Sequence, residues 1–137
     1  MASKNIKQVI VMRSDLKNLA GHKVRTGKLI AQGAHASMAF LTRTAEFTAT
    51  GMVVKFPKPA IVKQWCQEGF TKVTLKVNSE DELIDIYRKA KAANLPVELI
   101  QDSGLTEFDG IVTKTCIAIG PAFTQEIDKV TGHLNLF

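Results

Sequence analysis

The sequence is poor in cysteine and aromatic residues, and it has no long hydrophobic run. Its two cysteines, Cys66 and Cys116, have neither CxxC spacing nor a secretory context, which predicts reduced thiols rather than a disulfide or a zinc site. The longest stretch without Asp, Glu, Lys or Arg, residues 29–42, is shorter than the roughly 18 apolar residues of a membrane helix. The apolar run at residues 9–12 is too short for a secretory signal core of about 7–15 residues. We therefore expect a soluble, cytoplasmic protein.

The length and composition of the chain fit one globular domain. The chain has 137 residues, of which 45% are hydrophobic and 23% are charged, close to the average of folded domains. This length predicts a single domain over residues 1–137. The composition argues against intrinsic disorder, a collagen helix and a coiled coil.

Charge is divided unevenly along the chain, whose formal net charge is +5. Residues 1–72 hold 12 Lys and Arg against 3 Asp and Glu, whereas residues 73–137 hold 6 against 10. A cationic half favours an anionic partner, with nucleic acid first and a membrane surface second. A basic surface that is merely solvated fits the charge equally well.

Periodicity and turn residues predict alternating strands and helices. Residues 6–13 are rich in Val and Ile, which is typical of a strand buried on both faces. A polar, cationic loop over residues 15–27 follows. A stretch rich in alanine then predicts a long helix from residue 26 to about residue 48, with Thr26 as its N-cap. Pro59 fits the first turn of a second, short helix.

The middle of the chain predicts one more strand and helix. Residues 71–77 alternate in polarity, as a strand with one buried face does. Ser79 and Glu82 have the spacing of a capping box, which opens a helix. The inward side of this helix is predicted to carry Leu83, Ile86, Ala90 and Ala93.

The last part of the chain predicts two strands, residues 97–101 and 113–119, and a final helix that begins at Pro121. The resulting order is β-α-α-β-α-β-β-α. Parallel strands need crossover helices, whereas the last two strands could form a hairpin. We therefore expect an α/β fold, a three-layer α/β/α sandwich with a mixed sheet of about four strands and helices on both faces.

The long helix carries the most unusual pattern of side chains. One face, within roughly 40° of Lys28 at about 100° per residue, holds Lys28, Gln32, His35 and Ala39. The opposite side holds the apolar stripe Ile30, Ala34, Met38 and Leu41, which predicts the packing face. The polar groups beside small alanines favour a ligand site, although an ordinary polar helix face gives the same pattern.

The start of this helix resembles a phosphate-binding loop but does not match it. Five residues rather than four separate Gly21 from Gly27, and Leu29 stands where a Ser or Thr would bind magnesium. Lys28 at a helix N-terminus still predicts an anion site, because the free N–H groups and the helix dipole add to its charge.

A second group of polar residues follows the third predicted strand. Asp102 and Thr106 lie in this turn, and Thr113 and Thr115 begin the next strand. Open α/β sheets bind ligands at such strand ends. An ordinary Asx turn also explains Asp102.

Four ordered segments, distributed over nearly the whole chain, resemble the peptidyl-tRNA hydrolase type II family. They are Val9-Ile-Val-Met-Arg-Ser-Asp-Leu16, Gly27-Lys28-Leu-Ile-Ala-Gln32-Gly-Ala-His35-Ala, Gln101-Asp102-Ser-Gly-Leu-Thr106, and Ile119-Gly-Pro121 with Asp128-Lys-Val-Thr-Gly-His133-Leu. The resemblance implies hydrolysis of the ester that joins a peptide to tRNA, in a layered α/β domain. It implies peptidyl-tRNA as the partner and no metal or organic cofactor. The short apolar runs also predict no membrane partner, and a homodimer is left open.

The family motifs also imply the site residues. The catalytic residues carried over are Lys28, His35, Asp102, Thr106 and Thr115. The residues expected to bind tRNA are Lys28 and Gln32 of the helix motif and, because of the positive charge of the loop before it, Lys23 and Arg25. The loop that holds Lys23 and Arg25 is about six residues longer than is usual in the family. Leu105 stands where the family usually has Arg, and this difference bears on substrate affinity or on the orientation of Asp102.

The residue types suggest roles for this set. Asp102 is assigned to position and deprotonate a water molecule, with His35 as an alternative base or an orienting residue. Lys28, Thr106 and Thr115 would stabilise the oxyanion or hold the terminal phosphate. A non-catalytic RNA-binding module with the same fold is the second hypothesis, and a protein-interaction domain is the third.

Overall fold

The computed structural model describes residues 5–104, 108 and 110–137. In chain order its elements are β1 (Ile6–Arg13), α1 (Thr26–Thr42), β2 (Glu46–Phe47), β3 (Met52–Val53), α2 (Pro59–Gln67), β4 (Lys72–Val77), α3 (Glu80–Ala92), β5 (Val97–Asp102), β6 (Thr113–Phe123) and α4 (Thr124–Thr131). The predictions for Leu105 and Thr106 lie outside the described residues.

Four strands form the main sheet in the order β4-β1-β6-β5. Strands β1 and β4 are parallel, and β6 is antiparallel to both of its neighbours, β1 and β5. Strand β5 therefore runs in the direction of β1 and β4, and the carboxyl ends of these three strands meet at one edge of the sheet, here called the carboxyl edge. The predicted mixed sheet and the pairing of the last two strands are confirmed.

Helices cover both faces of this sheet, which confirms the three-layer sandwich. Helices α3 and α4 pack on one face, over a core that includes Val9, Val11, Leu83, Ile117, Ile119 and Ile127. Helix α1 packs on the other face, over a second core that includes Ile10, Met12, Ala36, Ala39, Cys116 and Ala118. Alternate residues of β1 point into these two cores, which explains its nearly unbroken apolar sequence.

Helix α1 is shorter than the sequence predicts. It ends at Thr42, and a small hairpin of β2 and β3 takes up residues 46–53. This segment is rich in threonine and aromatic or β-branched residues, which favour extended backbone. The predicted N-cap is also wrong by one residue: Arg25 holds the N-cap position without a side-chain hydrogen bond.

For the other helices, two predicted starts are confirmed, whereas one predicted start and one predicted inward residue are wrong. Pro59 begins α2, and the Ser79 hydroxyl accepts the N–H of Glu82 as a capping box requires. Ala93, predicted to face inward, is exposed. Pro121 does not begin the last helix, because β6 extends to Phe123 by pairing with the first residues of β1.

Both cysteines are free thiols, as expected, with Cys66 exposed and Cys116 buried. Burial raises the pKa of the Cys116 thiol to about 12, so this group stays protonated. Among the described residues, no helix is long and apolar enough to cross a membrane.

Candidate active site

Asp102 lies at the carboxyl edge as the last residue of β5, and it is the centre of a cluster of hydrogen bonds. Its Oδ1 accepts from Lys28 Nζ at 2.9 Å and from Gln32 Nε2 at 3.2 Å. Its Oδ2 accepts the backbone N–H of Gly104 at 2.9 Å. Two residues of α1 and the turn after β5 thus fix one carboxylate.

The ion pair of this cluster is largely shielded from water. The side chains of Lys28 and Asp102 are 14% and 12% exposed. Burial alone opposes ionisation of the carboxyl, but the hydrogen bonds from Lys28, Gly104 and Gln32 and the Lys28 charge outweigh it and lower the pKa of Asp102. Asp102 is therefore a carboxylate at neutral pH.

Gln32 links this carboxylate to a buried hydroxyl. The side-chain oxygen of Gln32 accepts the hydroxyl of Thr115 at 2.6 Å, while its nitrogen donates to Asp102. Gln32 is 2% exposed and Thr115 is fully buried. Because each end of the Gln32 amide has a partner that suits it, the amide holds one orientation.

A β-bulge brings Thr115 to this position. Ile100 pairs with Cys116 and Gln101 pairs with Lys114, so Thr115 is an extra residue of β6 with no opposite partner in β5. A bulge of this kind re-aims a side chain, and here the Thr115 hydroxyl reaches α1. Sequence periodicity gives no signal for such a bulge.

His35 lies one helical turn beyond Gln32 and is exposed. It lines a cleft of about 410 Å³ together with Gln32, Ala39 and Asp102. The structure therefore brings Lys28, Gln32, His35 and Asp102 to one site, as the shared helix face predicts.

The orientation of α1 is opposite to the one predicted from its apolar stripe. Ile30 and Met38 are 68% and 55% exposed, whereas Gln32, Ala36 and Ala39 are buried. Alanines allow the helix to lie close to the sheet, and the ends of Lys28 and Gln32 find polar partners there. Hydrogen-bonded polar groups are compatible with burial, and for this reason hydrophobicity alone gives the wrong face.

Two further contacts complete the site, one predicted as an alternative and one not predicted. The Gly104 N–H bond makes Asp102 an Asx turn, so the ordinary turn and the functional site are the same structure. The Lys28 ammonium also lies 5.6 Å from the centre of the Phe108 ring, where a cation is attracted to the ring face. The first contact is the Asx turn that the sequence gives as an alternative for Asp102, whereas no sequence signal indicates the second.

Lys23 and Arg25, predicted to bind tRNA, are exposed in the loop before α1. Lys17 and Lys23 pair across a small β-bridge that shapes this loop. Lys23 borders a separate cleft of about 290 Å³, which Arg13 and Lys76 also line. These cations lie outside the Asp102 cluster but at the same edge of the sheet, beyond the ends of β1 and β4.

Within the described part of the chain, no group of three or more His, Cys, Asp or Glu side chains is arranged to hold a metal ion.

Comparison with known proteins agrees with this architecture. Residues 6–137 match the family described as peptidyl-tRNA hydrolase PTH2. The chain is 43% identical to a peptidyl-tRNA hydrolase of Methanocaldococcus jannaschii, over 96% of this chain and 99% of that protein. It is 42% identical to one of Methanopyrus kandleri, over 95% and 97%, and 40% identical to one of Halobacterium salinarum, over 96% and 100%. The chain therefore belongs to the peptidyl-tRNA hydrolase PTH2 family.

Proposed function

We propose that this protein hydrolyses the ester bond between a peptide, or an N-acylated amino acid, and tRNA. The observation that carries the proposal is the shielded pair of Asp102 and Lys28, 2.9 Å apart at the carboxyl edge, in a chain of this family. Hydrolysis of an ester needs an activated water molecule and stabilisation of the charge that develops on the ester oxygen, and this pair offers a group for each task. No observation favours a non-catalytic RNA-binding module.

Asp102 is the residue that we assign to the attacking water. A carboxylate offers about four acceptor positions, and the contacts described above occupy two on Oδ1 and one on Oδ2. The remaining position on Oδ2 can hold a water molecule. The lowered pKa of Asp102 makes it a weak base, so its main contribution is to orient the water and to accept its proton as the bond to carbon forms.

Lys28 is assigned to the negative charge that develops on the ester oxygen. Its ammonium is fixed by Asp102 before the substrate binds, and a preorganised charge in a shielded site stabilises a transition state more than one in water does. Neutralising Asp102 would therefore also misplace Lys28.

We assign Gln32 and Thr115 to positioning rather than to contact with the substrate. The Thr115 hydroxyl is buried and donates to Gln32, so its proton is not directed at an oxyanion. Gln32 in turn donates to Asp102. The tRNA-binding role expected for Gln32 becomes secondary to this one, while Thr106 keeps its expected catalytic role and His35 its place on the cleft wall.

The exposed cations of the loop before α1 are proposed to bind the tRNA backbone. Lys23 and Arg25 lie at the same edge of the sheet as the ester site. Phosphates near the 3′ end of tRNA can therefore contact these two cations while the ester lies at Asp102. Such contacts are largely independent of sequence and weaken with salt. The substrate is a product of translation, and we therefore propose a cytoplasmic location.

The direct test uses purified protein and tRNA charged with N-acetylated amino acid. We expect the wild type to release N-acetyl amino acid and intact tRNA, and we expect Asp102→Asn, which keeps shape and hydrogen-bonding reach, to lose most of the rate. The same tRNA with an amide in place of the ester is the matched substrate control. A wild type that binds this tRNA without releasing its acyl group would instead support the RNA-binding module.

A further inference from the structure

Strand β5 leads directly to Asp102 and forms an edge of the main sheet. Its only neighbour among the described strands is β6. An unpaired edge presents a row of backbone N–H and C=O groups to which an extended peptide can add.

The direction of these backbone groups follows from two contacts. The carbonyl of Pro96, just before β5, accepts the N–H of Gly120 in β6 at 2.8 Å. Because successive residues of a strand point their backbone groups to alternate sides, Val97, Leu99 and Gln101 point theirs to the open side. The carbonyl of Leu99 accepts Arg43 Nη2 of the α1 C-cap at 2.6 Å, which agrees with this alternation.

Two clefts lie along this open edge. The cleft of about 410 Å³ at Asp102 is lined by Ile100 and Gln101 on β5. A second cleft of about 490 Å³ begins at Val97 and Glu98 and has an apolar lining that includes Phe40, Phe56, Ile61 and Val62. Arg43, paired with Glu98 at 2.8 Å, lies between them.

We propose, building on the proposed function, that the open edge of β5 binds the peptide portion of peptidyl-tRNA as an added parallel strand. The ester carbon lies at Asp102, the carboxyl end of β5, so the peptide extends back from there along the strand. Its chain then runs from Val97 to Asp102, in the same direction as β5. The tRNA then occupies the cationic carboxyl edge, and the peptide extends away from that edge along β5. The apolar cleft at Val97 receives a side chain from the upstream end of the peptide.

Arg43 has a defined part in this arrangement. Without substrate its guanidinium satisfies the outward carbonyl of Leu99, as charged side chains often do at sheet edges. A peptide N–H takes over that carbonyl on binding, and Arg43 keeps its ion pair with Glu98. The exchange replaces one hydrogen bond with another.

Backbone pairing would make binding largely independent of the peptide sequence. Hydrogen bonds to N–H and C=O groups are the same for every residue except proline. The span from Val97 to Asp102, at about 3.3 Å per residue, accommodates four or five residues of peptide.

The first test varies the substrate and leaves the protein intact. One tRNA is charged with N-acetylalanine and with N-acetylated alanine peptides of two to seven residues, so that the ester itself never changes. We expect kcat/KM to rise about two- to tenfold for each added hydrogen-bonded residue and to level off near five residues. A kcat/KM that is independent of length would overturn the proposal.

The second test replaces single peptide N–H groups by N-methyl groups in the substrate of plateau length. A parallel strand turns alternate N–H groups toward its neighbour, so we expect kcat/KM to fall at every second position only. Equal effects at adjacent positions, or none at any position, would contradict strand pairing.

The third test removes one outward donor from the protein. Leu99→Pro deletes the N–H of Leu99 while the ladder to β6 keeps its bonds, since proline is tolerated at an open edge; Leu99→Ala is the matched control for the lost side chain. We expect the ratio of kcat/KM between the long and the one-residue substrate to fall about two- to tenfold in Leu99→Pro and to persist in Leu99→Ala. Equal ratios in both variants would count against the proposal, and if Leu99→Pro does not fold, the N-methyl series decides.

Failure of this proposal differs visibly from failure of the proposed function. Hydrolysis of the one-residue substrate, N-acetylalanyl-tRNA, depends on the ester site alone. Activity there without any gain from length refutes the peptide track but not the hydrolase. No activity on any length refutes both.

Discussion

Thr115→Val offers a sharp test of how the site is held together. The change keeps the volume of the side chain and removes one hydroxyl that is fully buried and donates to Gln32 at 2.6 Å. It leaves the oxygen of a Gln32 amide that is 2% exposed without a donor, which costs about 1–3 kcal/mol of folding stability. We expect thermal unfolding to show a loss of this size and Thr115→Ser, which keeps the hydroxyl, to recover most of it.

The effect of Thr115→Val on catalysis distinguishes two possible roles of this residue, positioning through Gln32 and direct stabilisation of the oxyanion. If Thr115 acts only through Gln32, kcat falls modestly, by about tenfold or less, because one hydrogen bond to Asp102 is weakened. If its hydroxyl stabilised the oxyanion directly, kcat would fall by about 100- to 1,000-fold.

The double variant Thr115→Val/Gln32→Leu completes this test. Residues that act through one contact are not additive, so the double variant should be no slower than Gln32→Leu alone. Steady-state kinetics on N-acetylaminoacyl-tRNA measure all three rates. A loss of 100-fold or more in Thr115→Val, multiplied again in the double variant, would refute the positioning role.

Three further predictions concern pH, tRNA binding and metals. Folding lowers the pKa of Asp102, so the contribution of this carboxylate to stability is complete above the ordinary value of 3.8 and is lost as pH falls through the lower folded value. The free energies of unfolding of wild type and Asp102→Asn, measured in urea, should therefore differ more at pH 6 than at pH 3. Exchanging Lys23 and Arg25 for Gln should reduce the slope of log tRNA affinity against log salt concentration by the contribution of about two phosphate contacts. Identical slopes for wild type and this variant in a filter-binding titration would place the loop away from the RNA. Finally, hydrolysis should persist in a metal chelator, as the family resemblance implies, and complete loss of activity that added metal restores would disprove this.

Much of the fold was predictable because local signals and tertiary packing agree in most elements. The apolar β1, the capping box at Ser79 and the proline at the start of α2 each specify an element by a local rule, and each is confirmed. The sequence predicts too early a start for the last helix, because Pro121 is compatible with a helix start whereas pairing with β1 keeps it in a strand. That pairing joins residues distant in sequence and leaves no local signal.

The candidate site was predictable in its membership but not in its geometry. Helical spacing brings Lys28, Gln32 and His35 together, and the turn contributes Asp102. The buried orientation of this face was missed because a hydrophobicity pattern does not register polar groups that are hydrogen-bonded inside a protein. The position of Thr115 depends on a bulge in strand pairing, which a single strand's sequence does not encode.

The central claim is that the Asp102 carboxylate, held by Lys28, drives hydrolysis of the ester. The most direct measurement is a single-turnover reaction with enzyme in excess over N-acetylaminoacyl-tRNA, comparing wild type with Asp102→Asn, together with the Kd of each for the same tRNA. The account predicts that the rate of the chemical step falls by about 100-fold or more while Kd changes by less than about threefold. An unchanged rate in Asp102→Asn, or a rate loss matched by an equal loss of affinity, would contradict it.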